Sequence, residues 1–168
     1  MKTMQHSNRM GSIAGTWLVL FLSLTISDIA WAKNECFPVQ GTFKSQTLPP
    51  DECTSPVAFC TRGVLTGGLW GDYEFVAQQF IPANERTVPL ANFYAGFSYV
   101  STRRGELQLT DTGALDLAAG RISALLTATG GTGDFEHATG YLYVYGASDS
   151  ETNTNIGRYR GEICIPGN

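Results

Sequence analysis

The sequence is short of charge, of histidine and of long apolar runs. Lys, Arg, Asp and Glu make up 15% of its 168 residues, well below the usual quarter. Apolar residues reach 43%, enough to build a core, so composition argues against disorder. The length suits one domain. There are two histidines, His6 and His137, and no Cys-x-x-Cys spacing, so no metal ligand set is visible and no cofactor is expected. A Gly-x-Ser-x-Gly elbow is missing, as is a GxxxxGK[ST] phosphate loop. From Cys36 to Cys164 no helical apolar period lasts beyond a turn or two, which excludes a helix bundle. No Asn-x-Ser/Thr sequon follows residue 32, so N-glycosylation is not expected.

The first 32 residues read differently from the rest. Lys2 and Arg9 precede a ten-residue apolar run, Trp17–Ile26, and Ala30-Trp31-Ala32 offers the small residues of a cleavage site. This is the pattern of a signal peptide, with cleavage expected before Lys33 and a single domain over 33–168. The run is shorter than the ~20 residues of a membrane span. Export to the periplasm or the cell exterior follows, with no membrane span retained. Removing residues 1–32 leaves nine basic and fourteen acidic residues, a net charge of −5. An acidic surface repels phosphates, which argues against a nucleic-acid partner.

Four cysteines remain, Cys36, Cys53, Cys60 and Cys164. In an exported chain they read as two disulfides. Three pairings are possible. Cys53–Cys60 is favoured because it closes a short loop, which leaves Cys36–Cys164 to tie the first strand to the last.

Between the outer cysteines the chain alternates β-branched and aromatic runs with Gly, Pro, Asn and Asp, the signature of antiparallel strands. Eight are expected: Val39–Thr47, Phe59–Thr66, Leu69–Phe80, Ala91–Ser101, Arg104–Asp111, Arg121–Gly130, Thr139–Gly146 and Ile156–Ile165. Thr112-Gly113 reads as a turn, Ala83–Leu90 and Ala147–Asn155 as loops, and Leu115–Ala119 as either a helical turn or an extra strand. An open eight-stranded sheet would leave two exposed edges. Closure removes them and brings strand one beside strand eight. The fold class expected is an all-β, single eight-stranded antiparallel barrel, with a β-sandwich as the alternative.

Ala128–Gly140 is rich in glycine. Without a following helix it reads as a tight turn needing positive φ, not as a phosphate cradle. Gly131-Thr132-Gly133-Asp134-Phe135-Glu136 with Ala138-Thr139-Gly140-Tyr141 resembles the GTGxFxxxxG hairpin of the allene oxide cyclase-like and dirigent-like barrels. It is similar, too, to uncharacterised bacterial secreted proteins with that barrel. Gly157–Glu162 looks like their closing strand. The resemblance covers about residues 37–165 and implies an eight-stranded barrel with a ligand cavity. Characterised members are cyclases or guides of phenoxy-radical coupling. Their active-site residues have no match here, so their chemistry is not carried over.

Alternation sorts side chains between the two faces. On strands one and three it turns Val39, Phe43, Tyr73, Phe75 and Ala77 inward. On strand four it turns Phe93, Ala95, Phe97 and Tyr99 inward. Leu107, Leu109, Ile122, Ala124 and Leu126 follow, then Leu142, Val144, Tyr159 and Ile163. Glu74, Gln78, Glu106, Arg158 and Arg160 fall outside. The ligand-lining set expected from this is Phe43, Tyr73, Phe75, Phe93, Phe97, Tyr99, Leu126 and Tyr159. No interior carboxylate is expected, so paired-carboxylate catalysis has no site. A shifted register would bring in Glu74, Tyr94, Tyr143 or Arg158 as polar candidates. His137, beside Asp134 and Glu136, reads as a solvated turn residue. Tyr141, Tyr143 and Tyr145 form a one-sided stripe. An eight-stranded barrel is just wide enough either to fill with side chains or to hold one small ligand; Ala77, Ala95 and Ala124 leave room for a ligand, and the alternative is that the aromatics fill the interior. The leading expectation is a non-enzymatic secreted barrel that binds a small apolar or aromatic molecule. The alternatives are a cyclase or isomerase, and a structural or cell-surface interaction module.

Overall fold

The computed structural model describes residues 34–82, 91–116 and 118–167. The expected signal peptide and the loop Ala83–Leu90 lie outside the described residues. Eight antiparallel strands follow one another: β1 (Glu35–Thr47), β2 (Cys60–Gly67), β3 (Gly71–Pro82), β4 (Ala91–Thr102), β5 (Gly105–Asp116), β6 (Arg121–Gly131), β7 (Thr139–Asp149) and β8 (Thr154–Ile165). Each pairs with the next, and β1 pairs with β8 to close the barrel. Closure rules out the sandwich. Among the described residues no helix is long and apolar enough to cross a membrane.

Both disulfides have the expected partners, Cys36–Cys164 and Cys53–Cys60. Cys36 stands directly opposite Cys164 in the β1–β8 register. Cys53–Cys60 staples the loop that leads into β2.

Several strands outrun their sequence limits. Thr112-Gly113 is not a turn. Thr112 pairs with Ala95 and Leu125, and Gly113 with Tyr94 and Ala124, in the middle of the sheet. A glycine belongs there because the Tyr94 ring lies over it. A Cβ at Gly113 would come within 2.5 Å of the Tyr94 hydroxyl. The same economy of space recurs at the seam, where Phe43 faces Gly157 and Tyr159 faces Gly41. Leu115 and Asp116 end β5, and Asp116 Oδ1 accepts hydrogen bonds from the amides of Ala118 and Ala119. The expected loop Ala147–Asn155 shrinks to residues 150–153, because β7 and β8 remain paired as far as Asp149 and Thr154.

The core spans both inner walls and includes Val39, Leu65, Leu107, Leu109, Leu142 and Ile163. Full burial of such a side chain contributes about 1.5–3 kcal/mol. One end of the barrel is plugged. There the glycine-rich segment folds as a 3-10 turn, Gly133–Phe135, and drives Phe135 into the core beside Leu69 and Ala138. Two backbone bonds of 2.8 Å, Thr132 N to Glu106 O and Asp134 N to Arg104 O, hold it to the β4–β5 turn. Gly133 adopts φ +61°, a conformation that glycine reaches without strain. The resemblance motif therefore makes the stopper of the barrel. Among the described residues the opposite end, beside the β1–β2, β5–β6 and β7–β8 connections, carries the mouth; residues 83–90, which join β3 to β4 at that end, lie outside them.

Candidate functional site

A cavity of about 60 Å³ lies inside the barrel towards the mouth. Its walls are mostly aromatic and aliphatic, with Phe43, Tyr73, Phe75, Tyr94 and Leu126 among them. Phe59, Phe75 and Tyr94 meet edge to face, with ring centroids 6.1 and 5.4 Å apart, a favourable aromatic geometry. A groove of about 600 Å³ at the plugged end, lined by Trp70, Arg103 and Arg104 among others, is larger. None of its polar side chains is buried, however. The interior cavity is the better candidate because its polar groups are removed from water.

Those polar groups are few and specific. Asp111 on β5 is 3% exposed and Ser98 on β4 is fully buried. Ser98 Oγ donates to Asp111 Oδ2 at 2.6 Å. The other carboxyl oxygen, Oδ1, has no hydrogen-bond partner among the described residues. Burial pushes the Asp111 carboxyl up to about 8, and the Ser98 hydrogen bond holds it back only in part. The group is therefore largely protonated at neutral pH. The Tyr73 hydroxyl faces Ser98 and Thr61. Burial lifts both Tyr73 and Tyr94 above the usual tyrosine range, reinforced at Tyr73 by the Asp111 carboxyl and at Tyr94 by Tyr73 and then Asp111. Buried Ser45 and Asn155, cross-strand partners, line the same space. The arrangement is an apolar chamber with one neutral acid and several hydroxyls.

Of the residues expected to line the cavity, Phe43, Tyr73, Phe75, Leu126 and Tyr159 do so. Strand β4 is in the opposite register. Phe93 and Phe97 are 48% and 42% exposed, and Ala95 and Tyr99 share their outer face. Tyr94, Gly96, Ser98 and Val100 point inward instead. The register follows from packing. The Phe75 ring occupies the space that a Cβ on Gly96 would fill, so glycine, not Ala95 or Phe97, must face it.

Of the alternative polar candidates, Tyr94 lies inside. Glu74 lies outside, 3.5 Å from Arg62, and Arg158 is exposed. Tyr143 is 51% exposed and stacks edge to face with Tyr141 on the outer surface. His137 is exposed beside Glu136.

The expectation of an interior free of carboxylates is overturned by Asp111. Its signal was present. Leu107, Leu109 and Asp111 share one alternation, which continues through Gly113 to Leu115 once β5 is not ended early. Ser98, Thr61 and Phe59 were missed with it. Among the described residues the metal-capable cluster is Cys36, Glu162 and Cys164, but its two sulfurs are joined as the disulfide.

No protein-family model matches the chain, and no curated protein matches its sequence. Among solved structures it is similar to a pterocarpan synthase dirigent protein, at 14% identity over 81% of this chain and 88% of that one, with a TM-score of 0.35.

Proposed function

We propose that this protein is an exported barrel that binds one small, mainly apolar or aromatic molecule in its interior, with the ligand's polar group set against Asp111. The observation that carries this reading is the unpartnered Oδ1 of a buried carboxyl in an aromatic chamber. Buried polar atoms are normally paired. One left open beside a cavity is a place for a ligand atom, and apolar walls with a few convergent polar groups are what small-molecule sites look like. Two disulfides suit an oxidising, extracytoplasmic compartment.

The test is native mass spectrometry of the purified protein, together with calorimetric titration with 1-hexanol, whose slim chain can enter a cavity of this size end first. Binding should be seen in the wild type. Ala124→Phe, which fills the cavity, should abolish it. Hexanol binding unchanged by Ala124→Phe would sink the reading.

A second reading, a cyclase or isomerase of the allene oxide cyclase-like kind, is favoured by the same carboxyl. A carboxylic acid still protonated near neutral pH is suited to donate to a substrate oxygen. Conversion of an apolar allene oxide by the wild type, lost in Asp111→Asn, would support it. Equal conversion by the two proteins would remove it.

A further inference from the structure

We propose that the cavity selects an organic cation, an apolar amine whose ammonium group pairs with Asp111 while its body lies among the aromatic rings. This rests on the barrel interior being a ligand site, and it names the chemistry of the ligand.

Three independent features point the same way. First, Asp111 has one oxygen committed to Ser98 and the other unpaired, and among the described residues none that lines the cavity is Lys, Arg or His. The wall thus presents an acid with no cation of its own. An anionic ligand would meet no positive group among the described residues, whereas an ammonium would meet a free acceptor and, once the carboxyl gives up its proton, a charge partner. Second, Phe43, Phe59, Phe75, Tyr73 and Tyr94 surround the space. Aromatic faces attract cations, most strongly when water is excluded. Third, the whole chain carries a net charge of −4, which favours the approach of cations over that of anions.

Size refines the choice. An apolar cavity of ~150 Å³ is enough for benzene. The 60 Å³ here takes an ammonium group and its first carbons. The rest of the ligand then extends towards the mouth, past Phe59 and Leu115.

Pairing changes the protonation of the site, and the change can be counted. Near pH 6.5 both the amine and the Asp111 carboxyl carry their protons. The ion pair forms when the carboxyl O–H breaks and its proton passes to buffer, which leaves carboxylate beside ammonium. Among the described residues the other titratable groups facing Asp111 are Tyr73 on β3 and Tyr94 on β4, and burial keeps both neutral. A neutral ligand leaves the carboxyl protonated and releases nothing.

The experiment is isothermal titration calorimetry at pH 6.5, in phosphate and in a second buffer of high ionisation enthalpy. The ligands are phenethylamine and its neutral counterpart 2-phenylethanol. The amine should bind roughly tenfold or more tightly than the alcohol and release close to one proton, and Asp111→Asn should lose both differences. Equal binding of the two molecules overturns the inference and leaves the barrel as a binder of neutral ligands. Amine binding without proton release overturns it too, on the wild type alone and so independently of how the variant folds. If neither molecule binds and 1-hexanol is not taken up, the inference and the binding function fall together.

Discussion

Ser98 on β4 donates a 2.6 Å hydrogen bond to Asp111 on the neighbouring strand β5, and both side chains are sealed from bulk solvent. The pair reaches diagonally across the inner face, since Ser98 lies opposite Leu109 and Asp111 opposite Gly96. A hydrophobic residue at position 111 would avoid the desolvation of a carboxyl. The barrel nevertheless carries an acid there with one oxygen left open, and the stability of the fold registers it.

Between pH 4 and 8 the protein should lose stability as the pH rises. The unfolded Asp111 titrates near 3.9, the folded one at about 8. Across that window the folded state holds a proton that the unfolded state has released, so unfolding becomes easier as pH increases. The contribution is fully present below about pH 4 and is lost through pH 8. Asp111→Asn should remove this slope and be the more stable protein at pH 8, by about 1–3 kcal/mol. Urea unfolding of both proteins at pH 5 and 8 measures the difference.

Gly113→Val should destabilise the barrel by about 3 kcal/mol or more, through overpacking against the Tyr94 ring. In the Tyr94→Ala background the same substitution should cost less, because the ring is gone, but not nothing, because a Cβ there still meets the Ser123 carbonyl oxygen at 2.8 Å. A double-mutant cycle by thermal denaturation gives the coupling.

Tyr159→Phe should cost about 1–3 kcal/mol, since it leaves a buried amide without its acceptor. The Tyr159 hydroxyl accepts from Leu69 N at 2.8 Å and reaches the carbonyls of Thr66 and Leu69 at 3.0 and 3.2 Å. Amide hydrogen exchange at Leu69 should rise in the variant, while exchange in β5 and β6 stays near wild type.

The two disulfides should differ in worth. Cys36–Cys164 joins residues 128 apart, Cys53–Cys60 residues 7 apart. In the chain-entropy account the longer closure constrains the unfolded state more, with about 4.7 kcal/mol for a 100-residue loop. Cys36→Ser with Cys164→Ser should lower Tm more than Cys53→Ser with Cys60→Ser.

The closed barrel and the disulfide partners could be read from the chain because both follow from local rules. Alternation repeats along every strand, and Cys36 and Cys164 mark the ends of the first and last. The faces of β4 could not be read, because both its faces are apolar. Phe93 and Phe97 are as greasy as Tyr94 and Val100, and only Gly96 beneath the Phe75 ring decides between them. Asp111 was hidden by its neighbours. Thr112-Gly113 has the composition of a turn, and a strand that stops there leaves Asp111 at an exposed end. The glycine serves the Tyr94 ring across the sheet, a tertiary demand invisible along the chain. Ser98 was lost with the β4 register, and its hydroxyl became meaningful only once Asp111 faced it.

The β1–β8 seam sets Glu35 opposite Ile165 at the stoppered end, so both ends of the barrel domain emerge on the side away from the mouth. An affinity handle or surface linker attached after residue 165 would leave the entrance unobstructed. A sensor chip loaded that way would present every molecule with its opening towards the flow.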